Sequence, residues 1–454
     1  MAGLANDKIE ILRTLFSAAP DRVVKELQRA LAGGDDSLAD VVELMAQELD
    51  DRRKRDLVLA PVLPLFCATA WVPPRLPRAA LGPLWRALKL EAQSEIAGLR
   101  SPEEPGEEDA ENVASHVLDG LTNRVAVGLR LGKFGGYGQA LRALEDVGPG
   151  GLDALLIALD IAPLVREARS KLPQWIARPD PEVSAVARLA YRDAVFIAET
   201  AGPVFFAMLA GALAEPCTIL RVIGTVMERP PERYMAASEL AQFADQLLED
   251  IDQDVAGFSA FNPSDGVPAA TTLAQCMQDA TRRIKELDDA VQLDKEGRWG
   301  RRVHAQRKTI ASFAEARLGE MDREVAAALP ALAHYAARAG KGSHTFSTVP
   351  DPALVTRAMA LLSFAEATHF TANAGGFAAA RTKAMVAVGD TLDSLIEAAL
   401  AMTRAAQPAA LLLAESHFAA LAELVTALRD SKAGDIVRRR GRTAIAAAEQ
   451  SEAA

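Results

Sequence analysis

Residues 273–291 read LAQCMQDATRRIKELDDAV, and in them Leu273, Met277, Ala280, Ile284, Leu287 and Val291 recur alternately four and three positions apart. That interval returns to one side of an α-helix, whereas strand side chains change face at every step. Nearly three heptads in a row predict a long helix with a single apolar seam. Glu296-Gly-Arg-Trp-Gly300 interrupts the pattern, and Ile310, Phe313, Met321, Val325 and Leu332 then define a second long amphipathic helix. Two long helices about a short glycine-containing break predict an antiparallel helical hairpin around 270–332. A single long helix with a local distortion is the competing reading.

The same periodicity extends outward in both directions. Half of the residues are apolar but only 5% are aromatic, so the apolar surface is carried mainly by Ala, Leu and Val. Ala and Leu lose little side-chain entropy in a helix, and strand-favouring aromatic and β-branched runs are scarce. The expected fold class is therefore all-α, a multi-helix bundle or an irregular α-solenoid-like array; no fixed repeat period is found. At 454 residues the chain exceeds one ordinary core.

Punctuation gives five segments. Residues 1–100 read as a bundle of short helices, with Gly33-Gly34 as a stop and Ser37 with Asp40 as a capping box. Residues 101–112 (SPEEPGEEDAEN from Ser101) are acidic and nearly free of apolar side chains, as in a loop or linker. Residues 113–256 form a central apolar helical region. Its segments Glu182–Ala201 and Pro203–Ala214 are apolar on nearly every face and are placed in the interior. Tyr234–Val255 is expected as one amphipathic helix. Residues 270–430 form a C-terminal bundle that includes the hairpin, and 431–454 a frayed or exposed tail, basic and then Ala/Glu-rich.

A net charge of −11 argues against general nucleic-acid binding, which needs a basic surface. Cys67, Cys217 and Cys276 lie far apart with no CxxC pair, so they read as buried free thiols rather than disulfides or zinc ligands. The N-terminal MAGLANDKIEILRTLF lacks the features of a secretion signal. The apolar run Pro203–Ala214 falls short of the roughly 20 residues that a membrane span requires. A soluble, cytoplasmic protein without a transmembrane segment is expected.

Catalytic motifs fail one by one. Gly128-Leu-Arg-Leu-Gly132-Lys133-Phe134 is one residue short of a phosphate loop and has Phe at the metal-binding position. Gly136-Tyr-Gly138 has Leu141 where a dinucleotide fingerprint needs its last glycine, so the stretch reads as a helix-to-helix turn. Glu366 and His369 form one ExxH pair, where a di-iron bundle needs two. Glu415 and His417 are two apart and diverge on a helix. Glu249, Asp250, Asp252 and Asp254 read as a solvated helix face rather than a magnesium site. GxSxG is absent. No cofactor and no metal are expected.

One anomaly remains in this acidic chain, the basic cluster Arg298, Trp299, Arg301, Arg302, His304, Arg307 and Lys308 at the hairpin tip. Trp beside several Arg is enriched at protein-binding hot spots. The competing account is a solvated tip that pairs with acids such as Asp294 and Glu296. The candidate interaction residues are therefore Arg298, Trp299, Arg301, Arg302, Arg307 and Lys308. The sequence thus suggests a non-enzymatic scaffold, adaptor or regulatory protein that binds a protein partner through helix faces, with self-association as a further option. The first alternative is a helical enzyme or small-ligand binder with a pocket in the central region, Glu182 to Met227. The second is a binder of nucleic acid or anionic lipid through the 298–308 cluster.

Overall fold

A computed structural model describes residues 6–31, 38–99, 108–132, 136–146, 150–177, 180–338 and 345–453. Helix accounts for 81% of the chain and no strand occurs among the described residues. The fold is all-α. The Gly33-Gly34 stop, Ser37 of the capping box and most of the acidic stretch after Ser101 lie outside the described residues; helix Glu108–Leu131 takes in the end of that stretch. Contacts divide the chain into two compact units, Met1–Pro230 with Ala236–Phe243, and Pro231–Met235 with Ala244–Ala454.

The first unit starts with three helices, Asn6–Ala18, Asp21–Leu31 and Ala39–Val58, around Phe16, Val24, Leu44, Met45 and Leu49. The buried guanidinium of Arg52 joins all three. It donates to the Phe16 and Ala19 carbonyls, where the first helix ends, and pairs with Asp21 and Glu48. Further along, Ala201–Ala210 is buried at every residue except Pro203, against Gly151–Asp160, Ala162–Ala177, Pro181–Ile197 and Ile219–Val226. Phe206 stacks on Tyr191 at 5.3 Å and meets Phe205 and Phe243 edge-on. The Tyr191 hydroxyl donates to Glu239 at 3.1 Å, and burial, with that carboxylate beside it, pushes its pKa up to about 12.

Helix Pro181–Ile197 corrects the sequence expectation of an interior position. Only Ala187 and Ala194 on it are buried, while Val186, Leu189, Phe196 and Ile197 are exposed. Ala187 and Ala194, seven apart, together with Tyr191 make the contact with the unit, and Val186, Leu189, Phe196 and Ile197 point away from it.

In the second unit, helix Pro352–Ala367 is the hub, packing against Gly266–Ala290, Arg298–Ala328 and Pro408–Leu428. All six seam residues from Leu273 to Val291 are buried, so the heptad is internal core. Gly266–Ala290 and Arg298–Ala328 follow one another as the spacing predicts, but their long sides face the hub more than each other. Arg298–Ala328 stops before Leu332 because Pro330, which has no N–H to donate, opens the next helix. The expected helix Tyr234–Val255 is two, Glu232–Ala236 and Ala241–Gly257.

The C-terminal stretch is no frayed tail. Ser431–Ala453 is a helix laid closely on Pro408–Leu428. A Cβ on Gly434 would overlap Thr426, and one on Gly441 would enter the Phe418 ring. Gly434, Val437 and Gly441 thus make a narrow contact face at helical spacing. Pro408–Leu428 is the one helix among the described residues long and apolar enough to cross a membrane, and the chain's own neighbours bury 56% of that stretch.

His417 lies inside this packing, with Phe346 at 4.9 Å and Nδ1 2.8 Å from the Leu413 carbonyl. Burial lowers its pKa. The unfolded chain then takes up a proton that the folded chain resists, so stability falls as pH drops below about 6.5. The urea midpoint is expected to fall between pH 7.5 and pH 5.5, and His417→Leu to flatten that slope. An unchanged slope in the variant contradicts this account.

Candidate functional site

The predicted tip is built on a helix end that lacks its own cap. Helix Arg298–Ala328 begins after Gly297, which has no side chain to accept its first N–H groups. Glu232, from another part of the second unit, supplies the acceptor. Its carboxylate receives the N–H of Trp299 at 2.7 Å, Gly300 at 3.2 Å and Asp294 at 3.0 Å. Glu232 is only 3% exposed, and its own N–H donates to the Gln292 carbonyl at 2.9 Å. A negative charge at this position also complements the positive end of a 31-residue helix.

The two glycines of Glu296-Gly-Arg-Trp-Gly300 make the approach feasible. A Cβ on Gly297 would run into the Glu232 carboxylate, and one on Gly300 into the Asp294 carbonyl.

Beyond the cap, the basic cluster meets the acidic face of Ala241–Gly257. Arg298 Nη2 donates to both carboxylate oxygens of Asp245 at 2.7 and 2.9 Å, and the Trp299 indole N–H donates to the same carboxylate at 2.7 Å. Arg302 reaches Asp252 at 2.8 Å and Glu249 at 3.1 Å. Gln306 donates to Asp252 and to the Leu248 carbonyl. Residues advance together on both helices, so the two run in the same direction and long side chains bridge them. Arg307 pairs with Asp288, and Arg283 with Asp254.

The structure therefore brings Arg298, Trp299 and Arg302 together and joins them to acids of the same unit. Trp299 is 1% exposed and belongs to the core. Arg301 and Lys308 face solvent with His304, at helical spacing on one side. Glu249 and Asp252 of the acidic run pair with this cluster while remaining partly exposed, and Asp254 pairs with Arg283 instead. The tip pairs with Asp245, Glu249, Asp252 and Asp288, not with the nearby Asp294 and Glu296 side chains that the sequence suggested.

Other candidates resolve individually. Helix Pro352–Ala367 ends before His369, so the ExxH pair does not share a helix, and Glu366 pairs with Arg381 at 3.3 Å. No group of three or more His, Cys, Asp and Glu able to hold a metal occurs among the described residues. Cys217 is buried, but Cys67 is exposed and Cys276 intermediate, which corrects the expectation of three buried thiols. Lys133 and Phe134 lie outside the described residues, while Gly128 gives way to the buried ring of Tyr137. In the central region, a cleft of about 390 Å³ touches Pro74, Asp153, Thr200, Pro203 and Glu239.

Comparison with family models, with curated proteins and with solved structures found no match.

One surface was missed in the sequence, the outer face of Pro181–Ile197. Val186, Leu189, Phe196 and Ile197 lie within an arc of about 100° on the helix, and Phe196 is 91% exposed. The available signal was the placement of alanines at 187 and 194, which offers a close-packing side away from Val186, Leu189 and Phe196.

The cap gives a direct test. Glu232→Ala leaves two buried donors and one part-buried donor without an acceptor and is expected to destabilise the fold by about 2–4 kcal/mol. Arg302→Ala, at a half-exposed pair, is expected to cost no more than about 1 kcal/mol. Urea unfolding of both variants measures the difference, and equal costs would contradict the cap.

Proposed function

We propose that this chain is a non-enzymatic helical scaffold or adaptor that holds a protein partner on the outer face of helix Pro181–Ile197. The observation that carries this reading is the exposure of Val186, Leu189, Phe196 and Ile197 on one side of a firmly anchored helix. Pro181 opens the helix and Asp180 caps it, accepting the Val183 N–H at 2.8 Å. The face is held in place before any partner arrives, which lowers the ordering cost of binding. Covering a large apolar side chain fully releases about 1.5–3 kcal/mol. Asp193 falls inside the same arc, so a fitting partner surface is apolar with a basic group opposite that carboxylate.

A second reading is supported by the central cleft at Pro203 and Glu239, which would take a small ligand. In the scaffold reading Arg301 and Lys308 are left as a secondary outward contact, since Arg298, Trp299, Arg302 and Arg307 have internal partners.

Affinity capture from native lysate separates these readings, with wild type beside Leu189→Asp/Phe196→Asp. Both positions are exposed, so the melting temperature is expected to stay within a few degrees of wild type. A specific partner retained by wild type and lost by the double variant is the expected result. Capture that ignores the substitutions would contradict the proposal. A small molecule that co-purifies in place of any protein would favour the cleft.

A further inference from the structure

Helices Ala378–Arg404 and Ser431–Ala453 leave a groove of about 620 Å³ along their outer side. Leu400, Ile436, Ala444 and Ala448 form its apolar lining, and Arg404, Arg439 and Arg440 stand along it. Ile436 is 49% exposed there. From Ile436 to Ala448 the groove is about 18 Å long at the helical rise, room for some three turns of another helix. The alanines leave space for a partner helix to come close, since interaxial distance follows side-chain size. Gly434 and Gly441 hold Ser431–Ala453, which forms one wall, against Pro408–Leu428.

Charge selects the occupant. Between residues 431 and 448 the sequence has Lys432, Arg438, Arg439, Arg440 and Arg442 against Asp435 alone, in a chain whose net charge is −11. Arg438 pairs with Asp435 and Arg440 with Glu397. Arg404, Arg439 and Arg442 are exposed and form no ion pair among the described residues. We propose that this groove docks an acidic amphipathic helix of a protein partner, its apolar stripe on Ile436 and Ala444 and its carboxylates on Arg404 and Arg439. The proposal rests on the scaffold reading and adds to it a second surface and the chemistry of what binds there. A nucleic acid has no use for the apolar lining, and a flat bilayer does not fill a concave slot.

The test uses the full chain and a fluorescein-labelled synthetic 18-residue helical peptide, with Leu at every third or fourth position and Glu on both flanks. Its counterpart has Lys in place of Glu. Saturable binding of the Glu peptide is expected by fluorescence anisotropy, weakened at least tenfold from 50 to 500 mM NaCl, with no binding of the Lys peptide. Arg404→Glu/Arg439→Glu should weaken it at least tenfold. Ala447→Trp, which fills the groove and leaves the charges in place, should do the same, with the helical circular dichroism of wild type in both variants. No binding of the Glu peptide, equal binding of the Lys peptide, or indifference to these substitutions overturns the proposal. So does competition by phosphatidylglycerol vesicles or by a single-stranded oligonucleotide ahead of the peptide. Leu189→Asp/Phe196→Asp should leave peptide affinity unchanged. Loss of partner capture in that variant, together with a failed peptide titration, removes the groove alone and leaves the scaffold reading standing.

Discussion

A buried carboxylate at the start of the longest helix is the constraint on which the second unit depends. Helix Arg298–Ala328 spans 31 residues and begins with donors that its own sequence leaves open. Glu232 accepts two of them and a third from Asp294, and so connects three chain segments through one side chain. Such a group is costly to bury without partners and strongly orienting with them. With the helix start fixed, Trp299 enters the core, Arg298 and Arg302 reach the acids of Ala241–Gly257, and the hub Pro352–Ala367 has a surface to pack on.

The first unit solves a related problem at helix C-termini and in its interior. Arg52 satisfies carbonyls at the end of the first helix while pairing with two acids, so a charge is buried only with full compensation. The Ala201–Ala210 helix requires cover on all sides, and its neighbours supply it. Pro181–Ile197 gives that cover through Ala187, Ala194 and the Tyr191 ring and keeps Val186, Leu189, Phe196 and Ile197 outward. The same choice of small inner residues recurs in the second unit, where glycines seat Ser431–Ala453 on its neighbour and leave an apolar groove on the far side. In both units close packing on one face of a helix leaves binding surface on the other.

Legibility followed the range of the interactions. The helical class and the seam from Leu273 to Val291 were readable because a 3.6-residue period is a local property of the chain, but whether the seam faces core or partner was not. The tip was readable as an anomaly of composition, but its role was not, because Glu232 and Asp245 lie more than fifty residues away in sequence and no spacing rule connects them. Helix Pro181–Ile197 was misread for another reason. Apolar content all round suggests burial only if Val186, Leu189 and Phe196 make the contact, and here Ala187, Ala194 and Tyr191 make it. The C-terminal stretch reads as a frayed or exposed tail from its terminal position and composition, whereas in the fold its glycines seat it as a packed helix.

Native-state hydrogen exchange at Trp299 and Gly300 tests the capping role most directly. First-turn amides of a helix have no intrahelical acceptor, and those of Ala378–Arg404, which no side chain caps, serve as the internal reference. The Trp299 and Gly300 amides are expected to exchange more slowly than that reference by on the order of a hundredfold, and to lose the difference in Glu232→Ala. Exchange at the reference rate in the wild-type protein would contradict the account.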